Sequence, residues 1–133
     1  MLARREHSAF ELRRKLQQKD IGEAEIEEAI VRLQQEGLLS DQRYAESYIH
    51  MRKNKGYGPQ RIALELKERG VAESDFRHHL YSDAIDWAAV LNTAYAKKYG
   101  DRACTNYQEK AKRVRYLQYR GFALDKIHEL IEM

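Results

Sequence analysis

Apolar residues recur along this chain at intervals of three and four. Leu12 and Leu16 lie four apart, Ile26, Ile30 and Leu33 follow, and then come Tyr44, Tyr48 and Met51. Ile62 and Leu66 repeat the spacing, as do Trp87, Val90, Leu91 and Ala94. This is the pattern of one face of an α-helix, and it predicts helices almost throughout. Helix starts are legible as well. Ser8 with Glu11 reads as a capping box, in which hydroxyl and carboxylate each satisfy an orphan amide, and Asn106 with Glu109 can play the same part. Pro59 disfavours a helical Gly58 and suits the first turn of a new helix. Gly37, Gly56, Gly70, Gly100 and Gly121 sit where helices should stop.

The pieces between these stops resemble one another. Leu12, Leu16, Lys19-Asp20-Ile21, Ile26 and Ile30 reappear about 50 residues on as Ile62, Leu66, Arg69-Gly70-Val71, Phe76 and Leu80. They return once more as Leu117, Arg120-Gly121-Phe122, Ile127 and Ile131, with Arg113 breaking the column that Leu12 and Ile62 begin. The reading is an all-α fold, an elongated, curved array of three tandem three-helix repeats. Residues 1–39 form repeat one, 40–85 repeat two and 86–133 repeat three. The second unit begins near Ser40 and the third near Asp86. The first lacks most of its opening helix, as a truncated chain would. Such a unit is expected to leave its apolar face open alone, with stacking on its neighbours supplying the core. Gly22, Ala72 and Ala123 stand where the last helix of each unit begins, and none is a strong cap.

Composition agrees with exposed amphipathic helices. Of 133 residues, 34% are charged and 43% hydrophobic, and one proline and seven glycines leave little for the many turns of a β-sandwich. The single cysteine, Cys104, has no partner for an internal disulfide and fits a reducing compartment. No apolar run approaches the roughly 18 residues of a membrane span. Met1-Leu2-Ala3-Arg4-Arg5 turns polar at once, so no secretory leader is expected and the expected location is the cytoplasm. The net charge of +3 is uneven. Residues 1–50 carry 8 Lys/Arg against 10 Asp/Glu, whereas residues 51–133 carry 16 against 11. That asymmetry favours a polyanionic partner for the second half.

The usual constellations of catalysis are missing from the sequence. The five histidines are scattered, and adjacent His78 and His79 diverge by about 100° on a helix. There is no zinc-protease pair, nucleophile elbow, P-loop or dinucleotide fingerprint, and Gly56-Tyr57-Gly58 runs into Pro59. No enzyme, metal or cofactor is expected. Glu23, Glu25, Glu27 and Glu28 read as a solvated face near a helix N-terminus. Tyr44, Tyr48, Trp87 and Tyr95 read as core. The informative stretch is Arg52-Lys53-Asn54-Lys55-Gly56-Tyr57-Gly58-Pro59-Gln60-Arg61, where four cations and a tyrosine flank a helix break. Cations neutralise phosphates, and a tyrosine stacks on a base or holds the turn. A second basic segment includes Arg113 and Arg115 with Arg120 beyond, and Arg13-Arg14-Lys15 stands nearly equivalent in the first unit. With regular stacking these clusters line one stripe. The alternative is that Tyr57 packs on the next helix and the cations are plain solvated helix ends.

Arg52-x-x-Lys55-Gly56-Tyr57-Gly58-Pro59-x-x-Ile62-x-x-Glu65-Leu66-x-x-Arg69-Gly70-Val71 resembles the central signature of the RecX family, bacterial regulators of the RecA recombinase. His7-Ser8-x-x-Glu11-Leu12-x-x-Lys15-Leu16 resembles that family's first repeat, and Gly37-Leu38-Leu39-Ser40-Asp41-x-Arg43-Tyr44-Ala45 its link into the second. Asp86-Trp87, Tyr99-Gly100 and Tyr119-Arg120-Gly121-Phe122 resemble its third. Asp20 departs from the family in replacing a glycine at its turn, and Gly22 replaces the usual capping residue. The resemblance implies a modulator of recombination and the SOS response without catalytic residues. It would lie in the groove of the RecA–DNA filament, oppose filament extension, and dampen strand exchange, ATP hydrolysis and co-protease activity. The expected binder is a monomer with no membrane contact, meeting the RecA filament and single- and double-stranded DNA through weak, salt-dependent contacts. Arg52, Lys53, Lys55 and Arg61 lead the expected contacts, followed by Arg113, Arg115 and Arg120, with Tyr57 serving both turn and contact. Two other classes fit parts of the pattern: a sequence-specific helix-turn-helix transcription factor, and a scaffold that binds protein alone. The acidic or apolar last helices of the units argue against the former.

Overall fold

Residues 6–131, which the computed structural model describes, form eight α-helices and no strand. They are α1 (Ala9–Gln17), α2 (Glu23–Gln35), α3 (Asp41–Asn54), α4 (Pro59–Glu68), α5 (Glu73–Leu80), α6 (Trp87–Tyr99), α7 (Tyr107–Tyr119) and α8 (Leu124–Leu130). Any opening helix of the first unit would fall largely on residues 1–5, outside the described residues.

Local chemistry sets most boundaries. The Ser8 hydroxyl accepts from the Glu11 amide at 3.1 Å, and the Glu11 carboxylate accepts from the Ser8 amide at 3.3 Å, completing the capping box. Asn106 achieves only half of one. Its side chain accepts from the Glu109 amide at 2.8 Å, but the Glu109 carboxylate turns away to Arg113. Ser40 and Asp86 cap α3 and α6, the helices that open the second and third units. Gly22, Ala72 and Ala123 precede α2, α5 and α8 without a side-chain cap. Acidic residues in the first turns of those helices, Glu23 and Glu25, Glu73 and Asp75, and Asp125, offset the helix dipole instead. At the turn into each unit's last helix the second and third units place Gly70 (φ 77°) and Gly121 (φ 104°). The first unit places Asp20 there, at φ 58°, a conformation that costs an L side chain.

The core corrects one expectation. Each unit encloses a hydrophobic cluster of its own rather than sharing one built by stacking. In the second unit Tyr44, Ala45, Tyr48, Ile49, Ile62, Leu66, Val71, Phe76 and Leu80 are buried together. In the third the cluster is Leu91, Ala94, Val114, Leu117, Phe122, Ile127 and Ile131. The first unit, with two described helices, musters only Ala9, Ile26, Ile30 and Leu39, helped by Leu12, Leu16 and Leu33. Three short helices at mutual angles suffice to surround a small core, so the units meet through narrower, largely polar seams.

Those seams repeat one docking rule. The turn before a unit's last helix rests on the start of the middle helix of the unit before. Gly70 lies against Phe10 at the start of α1, and Gly121 lies against Gly58 and Arg61 at the start of α4. Across the second seam the Gly58 amide donates to the Arg120 carbonyl at 2.7 Å, and the Gln60 amide to the Gly121 carbonyl at 3.0 Å. Across the first, the Ala9 amide donates to Asp41 Oδ1 at 2.8 Å. Trp87 packs on the second unit's core and donates from Nε1 to the Leu80 carbonyl at 2.8 Å. The accessible surface is 8916 Å² for 15.7 kDa. A compact monomer of that mass exposes roughly 7,300 Å². No helix among the described residues is long and apolar enough to cross a membrane.

Candidate functional site

The central basic motif folds into a knot at the seam between the second and third units. Glu65 of α4 is its hub. Arg52 of α3 donates to both its oxygens, Nε and Nη2 each at 2.9 Å. Arg61 Nε reaches Oε2 at 3.1 Å and the Tyr48 hydroxyl donates to Oε1 at 3.0 Å. Burial pushes the Glu65 carboxyl up, but the hydrogen bonds from Arg52, Arg61 and Tyr48 outweigh it and hold the group below its ordinary value. Above this hub the Tyr57 ring is stacked by two guanidiniums, Arg52 at 3.7 Å and Arg120 of the third unit at 3.9 Å. Arg120 also donates to the carbonyls of Gly56, at 3.2 Å, and Lys55. Arg61 crosses the seam the other way, donating to the Tyr119 carbonyl at 3.2 Å and lying over the Tyr119 ring at 4.5 Å.

The fold brings Arg52, Tyr57, Arg61 and Arg120 into one place, but their donors are engaged within the protein: Arg52 on Glu65 of its own unit, Arg61 on Glu65 and across the seam, Arg120 across the seam. Tyr57 packs on the second unit's core, as the structural alternative expected. Arg113 is a plain correction to the expected contacts. Its side chain is 1% exposed, seated in α7 where Ile62 stands in α4. There it donates to the Tyr95 hydroxyl and Glu109 carboxylate, both at 2.6 Å, and to the carbonyls of Arg102 at 2.9 Å and Ala103 at 3.4 Å. The column it was expected to break is a core column that here carries a hydrogen-bonded arginine, beyond reach of a partner. In the first unit Arg13 is taken up by Glu27 at 2.5 and 3.1 Å, and Lys15 Nζ lies 3.4 Å from His7 Nε2. Arg14 is exposed beside the Phe10 ring. Arg115 is exposed on α7 and lines a polar recess with Arg102 and Lys112.

Lys53 and Lys55 have a different setting. They stand on the rim of a cleft of about 380 Å³ between the end of α3 and the helices α6 and α7. Lys97, Lys98 and Arg120 complete a ring of five cations, and no acidic residue lines the recess. Its apolar part is made by Ala89, Val90, Ala94 and Tyr116. Lys97 and Lys98 were not singled out in the sequence. Their only signal is helical spacing: positions 89 and 90, 93 and 94, and 97 and 98 follow one another at intervals of four on α6. That this stripe faces Lys53 is set by the seam. No group of three metal-ligating side chains gathers among the described residues.

Comparison with known proteins gives one answer along the whole chain. Residues 1–33, 40–79 and 86–131 match the first, second and third three-helix domains of RecX. The chain is 44% identical to the regulatory protein RecX of Ectopseudomonas mendocina, over 98% of this chain and 87% of that protein. It is 43% identical to that of Pseudomonas entomophila, over 98% of this chain and 84% of that one. The crystal structure of RecX from Lactobacillus salivarius is similar with a TM-score of 0.77 and 25% identity, covering 97% of this chain and 86% of that one. A further crystal structure of regulatory protein RecX gives a TM-score of 0.80 at 23% identity; this chain matches it over 98% of its own length and 65% of the other's.

Proposed function

The chain belongs to the RecX family of regulatory proteins, and from that premise we propose that it is a non-enzymatic modulator of homologous recombination and the SOS response. It binds RecA and its DNA filament, and it inhibits filament extension, strand exchange, ATP hydrolysis and co-protease activity. Residues 1–39, 40–85 and 86–133 act as three successive contact units on that extended partner. The observation that carries this reading is the repeated docking of the units, turn upon helix start, into one elongated array. An extended array suits an extended ligand, because many weak contacts add along it. Lys53, Lys55, Lys97, Lys98 and Arg115 supply charge for a polyanion, and such contacts fade as salt rises. The first turns of α2, α5 and α8 are acidic. A recognition helix of a sequence-specific factor would bring that end to the bases and phosphates, so the helix-turn-helix reading is not favoured.

The test is ATP turnover by a RecA filament on single-stranded DNA, titrated with this protein. Turnover should fall in a dose-dependent and salt-sensitive manner, and Lys53→Glu with Lys97→Glu should raise the half-inhibitory concentration about tenfold or more while helicity is kept. Turnover unchanged at saturating protein would remove the reading.

A further inference from the structure

We propose that the cleft between the second and third units binds a nucleotide unit of a nucleic-acid single strand, with phosphates on Lys53, Lys55, Lys97 and Lys98 and a base laid over Val90 and Ala94. This deepens the reading above and rests on it for the origin of the strand. Three features of the recess point to this ligand. Its charge is of one sign: the five cations come from two units, and the lining holds no carboxylate to neutralise them. Lys53, Lys55 and Lys97 make no ion pair among the described residues, whereas Arg13, Arg43, Arg52, Arg61 and Arg113 all do.

The second feature is placement. Lysines in a last helical turn also offset the helix dipole, but they do so whichever way round the helix they point. Here Lys53 and Lys55 at the end of α3 and Lys97 and Lys98 at the end of α6 face the same recess. A single bound phosphate does not need four ammonium groups, whereas a strand brings phosphates in succession. The third feature is the surface beneath them. Ala89, Val90 and Ala94 are small and apolar, so they leave depth for a flat group, and Tyr116 closes one wall. An acidic peptide would satisfy the lysines but would leave that surface unfilled. A duplex would offer phosphates only, its bases being stacked and paired.

Binding of a fluorescein-labelled dT12 to the 133-residue chain, followed by anisotropy, tests this directly. The strand should bind several-fold more tightly than a hairpin duplex with the same number of phosphates. Lys53→Ala with Lys97→Ala should weaken dT12 binding about tenfold and reduce the salt slope by about 1.4, since each lost phosphate contact on a single strand is worth about 0.7. Thr93 is exposed and lines the cleft. Thr93→Phe fills the recess without touching charge and should weaken dT12 binding several-fold, with the salt slope and duplex binding unchanged. Circular dichroism of both variants should show native helicity and melting. Unaltered dT12 affinity in the folded lysine variant overturns the site. Equal binding of duplex and strand, with no effect of Thr93→Phe, overturns the nucleotide reading. Competition by dTMP as effective as dT12 per nucleotide overturns the strand in favour of a free nucleotide, and equal competition by poly-glutamate overturns it in favour of an acidic partner. RecA inhibition is measured separately. Loss of dT12 binding with inhibition intact supports the cleft site and leaves the modulator reading standing; failure of inhibition with cleft-dependent dT12 binding removes that reading alone.

Discussion

Gly58 and Gly121 meet backbone to backbone across the second seam: a Cβ placed on Gly58 would stand 2.5 Å from the Gly121 carbonyl oxygen. Gly58 itself has φ −91° and ψ 171°, a conformation any residue adopts, so its glycine is required by the approach and not by the turn. Gly58→Ala should therefore destabilise the array by about 1–3 kcal/mol, as overpacking does. Chemical denaturation measures the loss. Solution scattering should show a larger radius of gyration before unfolding, because the seam opens ahead of the units. Stability and dimensions equal to the parent's would contradict the close docking.

Arg113 and Glu109 define a second test. The buried guanidinium satisfies two carbonyls, a hydroxyl and a carboxylate. Arg113→Ala leaves those acceptors and a cavity behind, at a cost of about 3–5 kcal/mol. Any loss of the proposed RecA inhibition should track the fraction unfolded. A variant as stable as the parent but deficient in binding would return Arg113 to the contact surface.

Glu65 ties stability to acid. Its carboxyl is held below its ordinary value, so the folded state binds fewer protons than the unfolded chain in the acid range. The stabilisation is fully present above the ordinary carboxylate value and is lost as pH falls through the lowered one. Glu65→Gln should cost about 1.5–3 kcal/mol at neutral pH, the worth of hydrogen bonds to a charged group. The gap between parent and variant should close on acidification, as followed by melting from neutral pH downwards. A gap that is constant with pH would show that the charge of Glu65 is not what Arg52 and Arg61 require.

Asp20 offers a change in the opposite direction. It holds φ 58° at the turn where the later units use glycine. Left-handed backbone costs an L residue about 1–2 kcal/mol, less for Asp, and glycine gives part of the relief back through the entropy of its unfolded state. Asp20→Gly should stabilise the first unit by roughly 0.5–1 kcal/mol. Hydrogen exchange in α1 and α2 reads this locally. Faster exchange in both helices would mean that the Asp20 side chain contributes more than its backbone strain.

How far the sequence reaches is visible at particular residues. Ser8, Ser40, Pro59, Asp86 and the stop glycines marked helix ends correctly, since capping and φ preference act over four residues or fewer. The 50-residue recurrence gave three units, because Leu16, Leu66 and Leu117 must each face a unit's own core. The basic segment misled at Arg113, which stands in the column of Leu12 and Ile62 and, though charged, holds that core seat. Helical spacing records which way a side chain points and not whether Tyr95 and the Arg102 carbonyl wait there to satisfy it.

The sequence by itself determined the helices, their order and their grouping, all of which follow from interactions between near neighbours on the chain. Only the tertiary structure decided which cations join the units and which line the cleft between them. Arg120 finds Gly56 and Tyr57 from 64 and 63 residues away, and Lys97 comes to share a cleft with Lys53. Those encounters depend on how one unit's turn seats on the preceding unit's helix, a relation between surfaces that no local periodicity encodes.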